Sequence, residues 1–136
     1  MVVTPLVCLA MAVYWEARSE PLVGQLGVAQ TVINRVVDPR YPNSICEVVV
    51  EGPKYKSGIP VRHKCQFSFY CDGKSEEIKN PSAWNIAIIV SVQAMKMHLD
   101  ITYGATHYHT NSVNPYWKNS MKVTTQLGNH IFYKNN

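Results

Sequence analysis

Acidic residues are scarce in this chain: nine in 136 residues, against thirteen Lys and Arg, for a formal charge of +4. Only 16% of the chain is charged and 46% is hydrophobic, which excludes a disordered polyelectrolyte. The basic residues are scattered, and their densest run, Lys54, Lys56, Arg62, His63 and Lys64, is too diffuse for a nucleic-acid arm. A mild positive field of this kind suits an anionic polymer such as a bacterial wall, or merely solubility. No stretch reaches the roughly 18 uninterrupted apolar residues of a membrane-spanning helix, Ile86–Val92 coming nearest. No Lys or Arg precedes the apolar first residues and no small-residue cleavage site ends them, so an export signal is not expected. Gly-x-Ser-x-Gly and His-Glu-x-x-His are both missing, which removes the commonest serine-nucleophile and zinc-protease readings.

Four cysteines are present. Cys8 lies in an apolar helical stripe and is expected as a buried free thiol. Cys65 and Cys71 flank five residues and could close a small loop. His63 stands nearby, but His-x-Cys-x5-Cys is not a standard zinc spacing. Free thiols or one disulfide are expected.

Along the chain, Thr4-Pro5 is a helix start, with Thr as cap and Pro at the first helical position. Leu6, Leu9, Ala10, Val13 and Ala17 follow at helical spacing. A second helix runs from about Pro21 to Asp38-Pro39, which stops it. Residues 40–60 are loop-rich around a short apolar piece, Ile45–Val50. Asn80-Pro81 opens a third long helix reaching about Asp100, apolar nearly all round, and so expected as the central buried one. Ala105–Thr110 alternates like a strand, and Met121–Gln126 and His130–Tyr133 read as a hairpin joined through Gly128. The pattern is α+β in one domain, residues 1–136: helices packed on a central buried helix, then a small C-terminal antiparallel sheet.

The chemistry centres on Glu16, in Tyr14-Trp15-Glu16-Ala17-Arg18-Ser19-Glu20. At ~100° per residue it falls about 60° to one side of Val13, on the border of the buried stripe. A carboxyl there, beside a Trp, resists ionisation and can donate a proton, as glycosidic cleavage requires. Alternatively it is a structural carboxylate paired with Arg18, Arg35 or a Lys. Glu20 is expected to support the following helix. His107 and His109 would share one face of a strand, Tyr108 the other. A metal there needs a third ligand that the sequence does not supply in a recognisable motif. Gln66, Phe67, Ser68, Phe69, Tyr70, Asn111, Asn114, Tyr116 and Trp117 mix aromatics with amides and hydroxyls, the composition of a sugar-binding surface.

These residues also carry a resemblance. Tyr14-Trp-Glu16-Ala-Arg-Ser-Glu20-Pro21, Gly24-Gln25 and Val28-Ala-Gln-Thr-Val-Ile-Asn34-Arg35-Val36 are followed in order by Gln66-Phe67-Ser68, Gly104-Ala-Thr-His-Tyr-His109, Pro115-Tyr-Trp117 and Gly128-Asn-His130-Ile-Phe-Tyr133. Together they resemble the catalytic domain of SleB/CwlJ-type cell wall hydrolases, the spore cortex-lytic enzymes, over roughly residues 6–134. The family pattern often has Gly where Ser19 stands. The resemblance implies a lysozyme- and lytic-transglycosylase-like fold without cofactor or metal. It also implies a single catalytic carboxylate, Glu16, acting on the bond between N-acetylmuramic acid and N-acetylglucosamine and leaving an anhydro-muramic end. Gln66, Phe67, Ser68, Tyr108, His109, Asn111 and Trp117 are then expected to hold the glycan. The alternatives are a hydrolytic muramidase on the same scaffold, with Glu20 or Asp72 placing a water, and a metal-dependent amidase or peptidase using His107, His109 and His130. Many members carry a signal peptide and peptidoglycan-binding repeats. With neither recognised here, the expectation is an endolysin encoded by a virus, made in the host cytoplasm and released by a holin.

Overall fold

A computed structural model describes residues 3–135. Four helices precede a three-stranded sheet: α1 (Pro5–Ala17), α2 (Leu22–Val37), α3 (Ile45–Val49), α4 (Pro81–Lys96), β1 (His107–Thr110), β2 (Met121–Leu127) and β3 (His130–Asn135). The helix starts follow local chemistry. The Thr4 hydroxyl accepts from the Val7 amide at 3.2 Å, with Pro5 opening α1. The Asn80 side chain accepts from Ala83 at 3.1 Å, and Pro81 opens α4.

The central helix is α1, not α4. Leu9, Ala10, Ala12 and Val13 are fully buried, and α2, α3 and α4 all pack against α1. α4 instead leaves Ile86 and Ile89 40% and 61% exposed. Apolar composition all round a helix is a weak guide where a surface groove accepts the surplus. α4 also stops at Lys96, short of Asp100. Beyond it the Gln30 side chain donates to the Leu99 carbonyl and accepts from the Ile101 amide, both at 2.9 Å. Asp100 gathers the amides of Thr102 and Gly104, each at 2.8 Å. The backbone groups a longer helix would have satisfied are thus taken by side chains.

β3 lies between β1 and β2, antiparallel to both, with Tyr108 opposite Phe132 and His107 opposite Tyr133. A register irregularity between Val123 and Thr125 bends β2. Gly128, at φ +61°, makes the hairpin turn in the left-handed region. The inner face is anchored by Phe132, fully buried over Gly27 of α2. A Cβ on Gly27 would stand 2.6 Å from Phe132 Cζ and 2.9 Å from Leu127 Cδ1. Alanine would gain about 1 kcal/mol of helix propensity there but force the sheet off the helix at about 1–3 kcal/mol. Gly27→Ala is therefore expected to be net destabilising by up to about 2 kcal/mol, read as a lower midpoint in denaturant.

Cys8 is not a free thiol: it is bonded to Cys46 and ties α1 to α3. Cys65 is bonded to Cys71, closing the loop after α3. Both sulfurs beside His63 are therefore spent and cannot serve as thiolate ligands. No helix among the described residues is long and apolar enough to cross a membrane.

Candidate active site

Glu16 occupies the last turn of α1, half-buried. Three elements meet at its carboxyl. β1 brings Tyr108, whose hydroxyl donates to Glu16 Oε1 at 2.8 Å across 92 residues of sequence. α2 brings the positive charge of Arg35, which acts on Glu16 although no ion pair joins the two among the described residues. Burial is the largest influence and holds the carboxyl above its ordinary value. The Tyr108 hydrogen bond and Arg35 pull it down by less. The C-terminal end of α1 also disfavours negative charge. The result is a carboxyl that keeps its proton to higher pH than an ordinary Glu, with a donor and a cation in place for the anion left after the proton departs. Burial, reinforced by the same carboxylate, pushes the Tyr108 phenol well up, so it remains a donor.

Arg35 is itself 3% exposed. Its Nε donates to the Thr106 carbonyl at 2.7 Å, and its guanidinium lies 5.1 Å from the Tyr41 ring and 5.6 Å from the Phe67 ring. Its NH1 and the Glu51 Oε1 are both buried without a hydrogen-bond partner among the described residues, and the Glu51 charge acts on Arg35. The sequence reading held Arg35 only as a possible partner for Glu16 and passed over Glu51. A signal for Arg35 was present: Val28, Thr31, Val32 and Arg35 form one helical stripe, and a guanidinium on a buried stripe needs a reason.

The other expected site residues divide. Gln66 and Ser68 are exposed, flanking Phe67. Phe67 is 2% exposed and belongs to the core under Arg35, so it offers no face to a sugar. Phe69, in the 3-10 turn Ser68–Cys71 that follows, is buried as well, stacked on Trp15 at 6.3 Å. The loop's aromatics are core; its polar residues are surface. Tyr108 spends its hydroxyl on Glu16, not on substrate. His109 is 8% exposed with both ring nitrogens engaged, by the Tyr133 hydroxyl and the Thr110 carbonyl, each at 2.7 Å. It packs the sheet and has no nitrogen left for a ligand. Trp117 stands edge-on to His107 at 5.0 Å and to Tyr133 at 5.2 Å, on the strand face opposite Tyr108. Asn111 is exposed just past β1, its amide donating to the Asn129 carbonyl. Glu20 accepts from the Asn129 amide at 2.8 Å, bracing the α1–α2 corner against the hairpin turn.

The histidines do not converge. His107 and His109 face Trp117, as strand alternation implied, whereas His130 packs on Tyr108 and Phe132 across the sheet. Burial, with Arg35 and Arg40 nearby, lowers His107 to about 4, so it is neutral at physiological pH.

Residues 19–133 match the family model described as Cell Wall Hydrolase, a match that begins three residues after Glu16. The chain is 29% identical over 125 residues to the spore cortex-lytic enzyme of Halalkalibacterium halodurans, covering 91% of this chain and 33% of that protein. It thus spans about a third of the length of this curated relative. Among solved structures, the catalytic domain of the Bacillus cereus SleB protein superposes with TM-score 0.73 at 27% identity, over 96% of this chain and 89% of that one. The catalytic domain of the germination-specific lytic transglycosylase SleB from Bacillus anthracis superposes with TM-score 0.75, also at 27% identity, over 98% and 97%. The lysozyme-like α+β fold is shared with these domains.

Proposed function

The chain belongs to the Cell Wall Hydrolase family, and on that premise we propose that it cleaves the glycan backbone of peptidoglycan as a lytic transglycosylase, with Glu16 as the one general acid and base. The observation that carries this reading is the buried Glu16 carboxyl, raised by desolvation yet held by the Tyr108 hydroxyl at 2.8 Å. Protonated Glu16 gives its proton to the glycosidic oxygen between N-acetylmuramic acid and N-acetylglucosamine as the anomeric C–O bond breaks. Positive charge builds on the muramoyl ring. The carboxylate, stabilised by Tyr108 and Arg35, then takes the proton of the muramoyl primary hydroxyl as that oxygen closes on the anomeric carbon. An anhydro end forms and no water is consumed.

One carboxylate suffices for this route, whereas ordinary glycosidases use two. Glu20, one candidate for a second, is engaged by Asn129. Gln66 and Ser68, exposed on either side of Phe67, are the residues we assign to acetamido and hydroxyl groups of the glycan, with the exposed Asn111. Residues 1–136 would form one catalytic domain. The relatives named above are bacterial, which lends no support to a virus-encoded lysin.

The runner-up is a hydrolytic muramidase, favoured by Glu51, whose unpartnered buried oxygen could orient a water. Digestion in water enriched in heavy oxygen separates the two. Anhydro ends free of label support the transglycosylase; labelled reducing ends overturn it in favour of the hydrolase.

A pH profile tests the Tyr108 contact. The reactive form is protonated Glu16, so kcat/KM falls as pH rises through its pKa. The Tyr108 hydrogen bond lowers that pKa. Tyr108→Phe removes this influence, so the falling limb is expected to move to higher pH while the maximal rate drops about tenfold. A limb that stays in place would separate Tyr108 from Glu16 chemistry.

A further inference from the structure

Beside Glu16, on the flank of α1, lies a cavity of about 320 Å³ that the mechanism does not use. Its floor is Trp15 stacked on Phe69. Around it stand the cations Arg18, Lys74 and Lys79 and the carboxylates Asp72, Glu76 and Glu77. None of these charges is joined to another in a direct ion pair: the ion pairs among the described residues are Arg40 with Asp38 and His130 with Glu20. Arg18 is nevertheless fixed. Its guanidinium lies 4.9 Å from the Tyr14 ring and 5.1 Å from the Trp15 ring, and NH1 donates to the Tyr14 carbonyl at 3.4 Å. The Trp15 indole N–H has no partner among the described residues. Glu76 is raised by partial burial and by Asp72.

Separate cations and carboxylates set around an aromatic floor do not match a neutral sugar. They match a ligand that carries both signs of charge with apolar stretches between. In peptidoglycan that ligand is attached to the sugar itself: the muramoyl lactyl group bears a peptide with free carboxylates, amide backbone and, in many walls, a free amine. Trp15 and Arg18, which line the cavity, lie one residue before and two residues after Glu16, and a stem peptide of several residues, at about 3.3–3.6 Å each, is long enough to reach that flank from a muramoyl unit poised over Glu16. We propose that the cavity is a subsite for the stem peptide, with Arg18 and Lys79 taking its carboxylates and the Asp72–Glu76 side its amine. This rests on the peptidoglycan reading above.

The test is a titration of the intact chain with the stem tripeptide L-alanyl-γ-D-glutamyl-meso-diaminopimelate, followed through the three tryptophan indole N–H signals by NMR. Trp84→Phe and Trp117→Phe, at residues outside the cavity lining, identify the Trp15 signal. The Trp15 signal is expected to shift and saturate. Arg18→Gln, a change at an exposed residue, is expected to weaken binding about tenfold. A Trp15 signal that ignores the tripeptide, or equal affinity in Arg18→Gln, overturns the subsite. A second arm compares glycan strands with stems against strands stripped by an amidase. KM about tenfold higher on stripped strands, with kcat unchanged, supports the subsite, and equal KM overturns it. A chain that cleaves glycan but ignores tripeptide loses only the subsite. One that binds tripeptide but cleaves no glycan loses only the proposed activity.

Discussion

Glu16→Gln is expected to lower glycan cleavage about 10²–10⁴-fold, the range for losing one general acid, while leaving the protein folded and more stable at neutral pH. Glutamine matches the shape and can still accept the Tyr108 hydrogen bond through its amide oxygen, but it cannot deliver a proton to the glycosidic oxygen. The stability half follows from the direction of the pKa shift. The folded-state pKa of Glu16 is raised above its ordinary 4.5, with burial as the main cause. Such a group favours the folded state below its unfolded pKa, and that contribution is lost as pH rises through the folded pKa. Above that window wild type carries a partly buried charge that Gln does not. The variant's thermal midpoint should therefore exceed wild type at neutral and alkaline pH, with the advantage shrinking as pH falls through the folded pKa and gone below about 4.5. Activity lost with stability gained marks a carboxyl kept for chemistry. A structural, ion-paired Glu would give the reverse: little loss of activity and a lower midpoint.

The second large effect concerns the frame that holds Glu16. The Cys8–Cys46 bond joins residues separated by 38 positions and fixes α1 to α3. Closing a loop of that length in the unfolded chain removes entropy worth about 4 kcal/mol. Cys8→Ala with Cys46→Ala is expected to cost about that much, a large part of the roughly 5–15 kcal/mol typical of a domain. The bond between Cys65 and Cys71 spans only 6 positions and should contribute about 2 kcal/mol on the same argument. Urea denaturation of the two double-alanine variants against oxidised wild type measures both. Equal losses would contradict the loop-length argument, and no loss at Cys8–Cys46 would show that α1 is held by packing alone.

Much of this architecture is legible where the deciding interaction is local. Thr4 and Asn80 cap helices within their own first turn, Asp38-Pro39 stops α2, and Gly128 turns the hairpin, all within a few residues. Glu16 was legible for the same reason, since helical phase places it beside the buried stripe. What escaped depends on partners distant in sequence. The 38-residue disulfide could not be read from spacing. The end of α4 was decided by Gln30, 69 residues from the carbonyl it takes. Tyr108 and His109 were read together as ligands for a glycan. Strand alternation separates them, but only the docking of Phe132 on Gly27 decides that the Tyr108 side faces Glu16. Phe67 was misread because aromatic residues in a loop look like a surface until the buried guanidinium of Arg35 is found above them.

The most direct test is mass spectrometry of muropeptides released from purified peptidoglycan by wild type and by Glu16→Gln, side by side. If Glu16 is the sole acid and base of a lytic transglycosylase, wild type yields new muramoyl ends lighter by one water than hydrolysed ends, and the variant yields almost none. Release by Glu16→Gln at the wild-type rate, or wild-type ends that carry the added water, would contradict it.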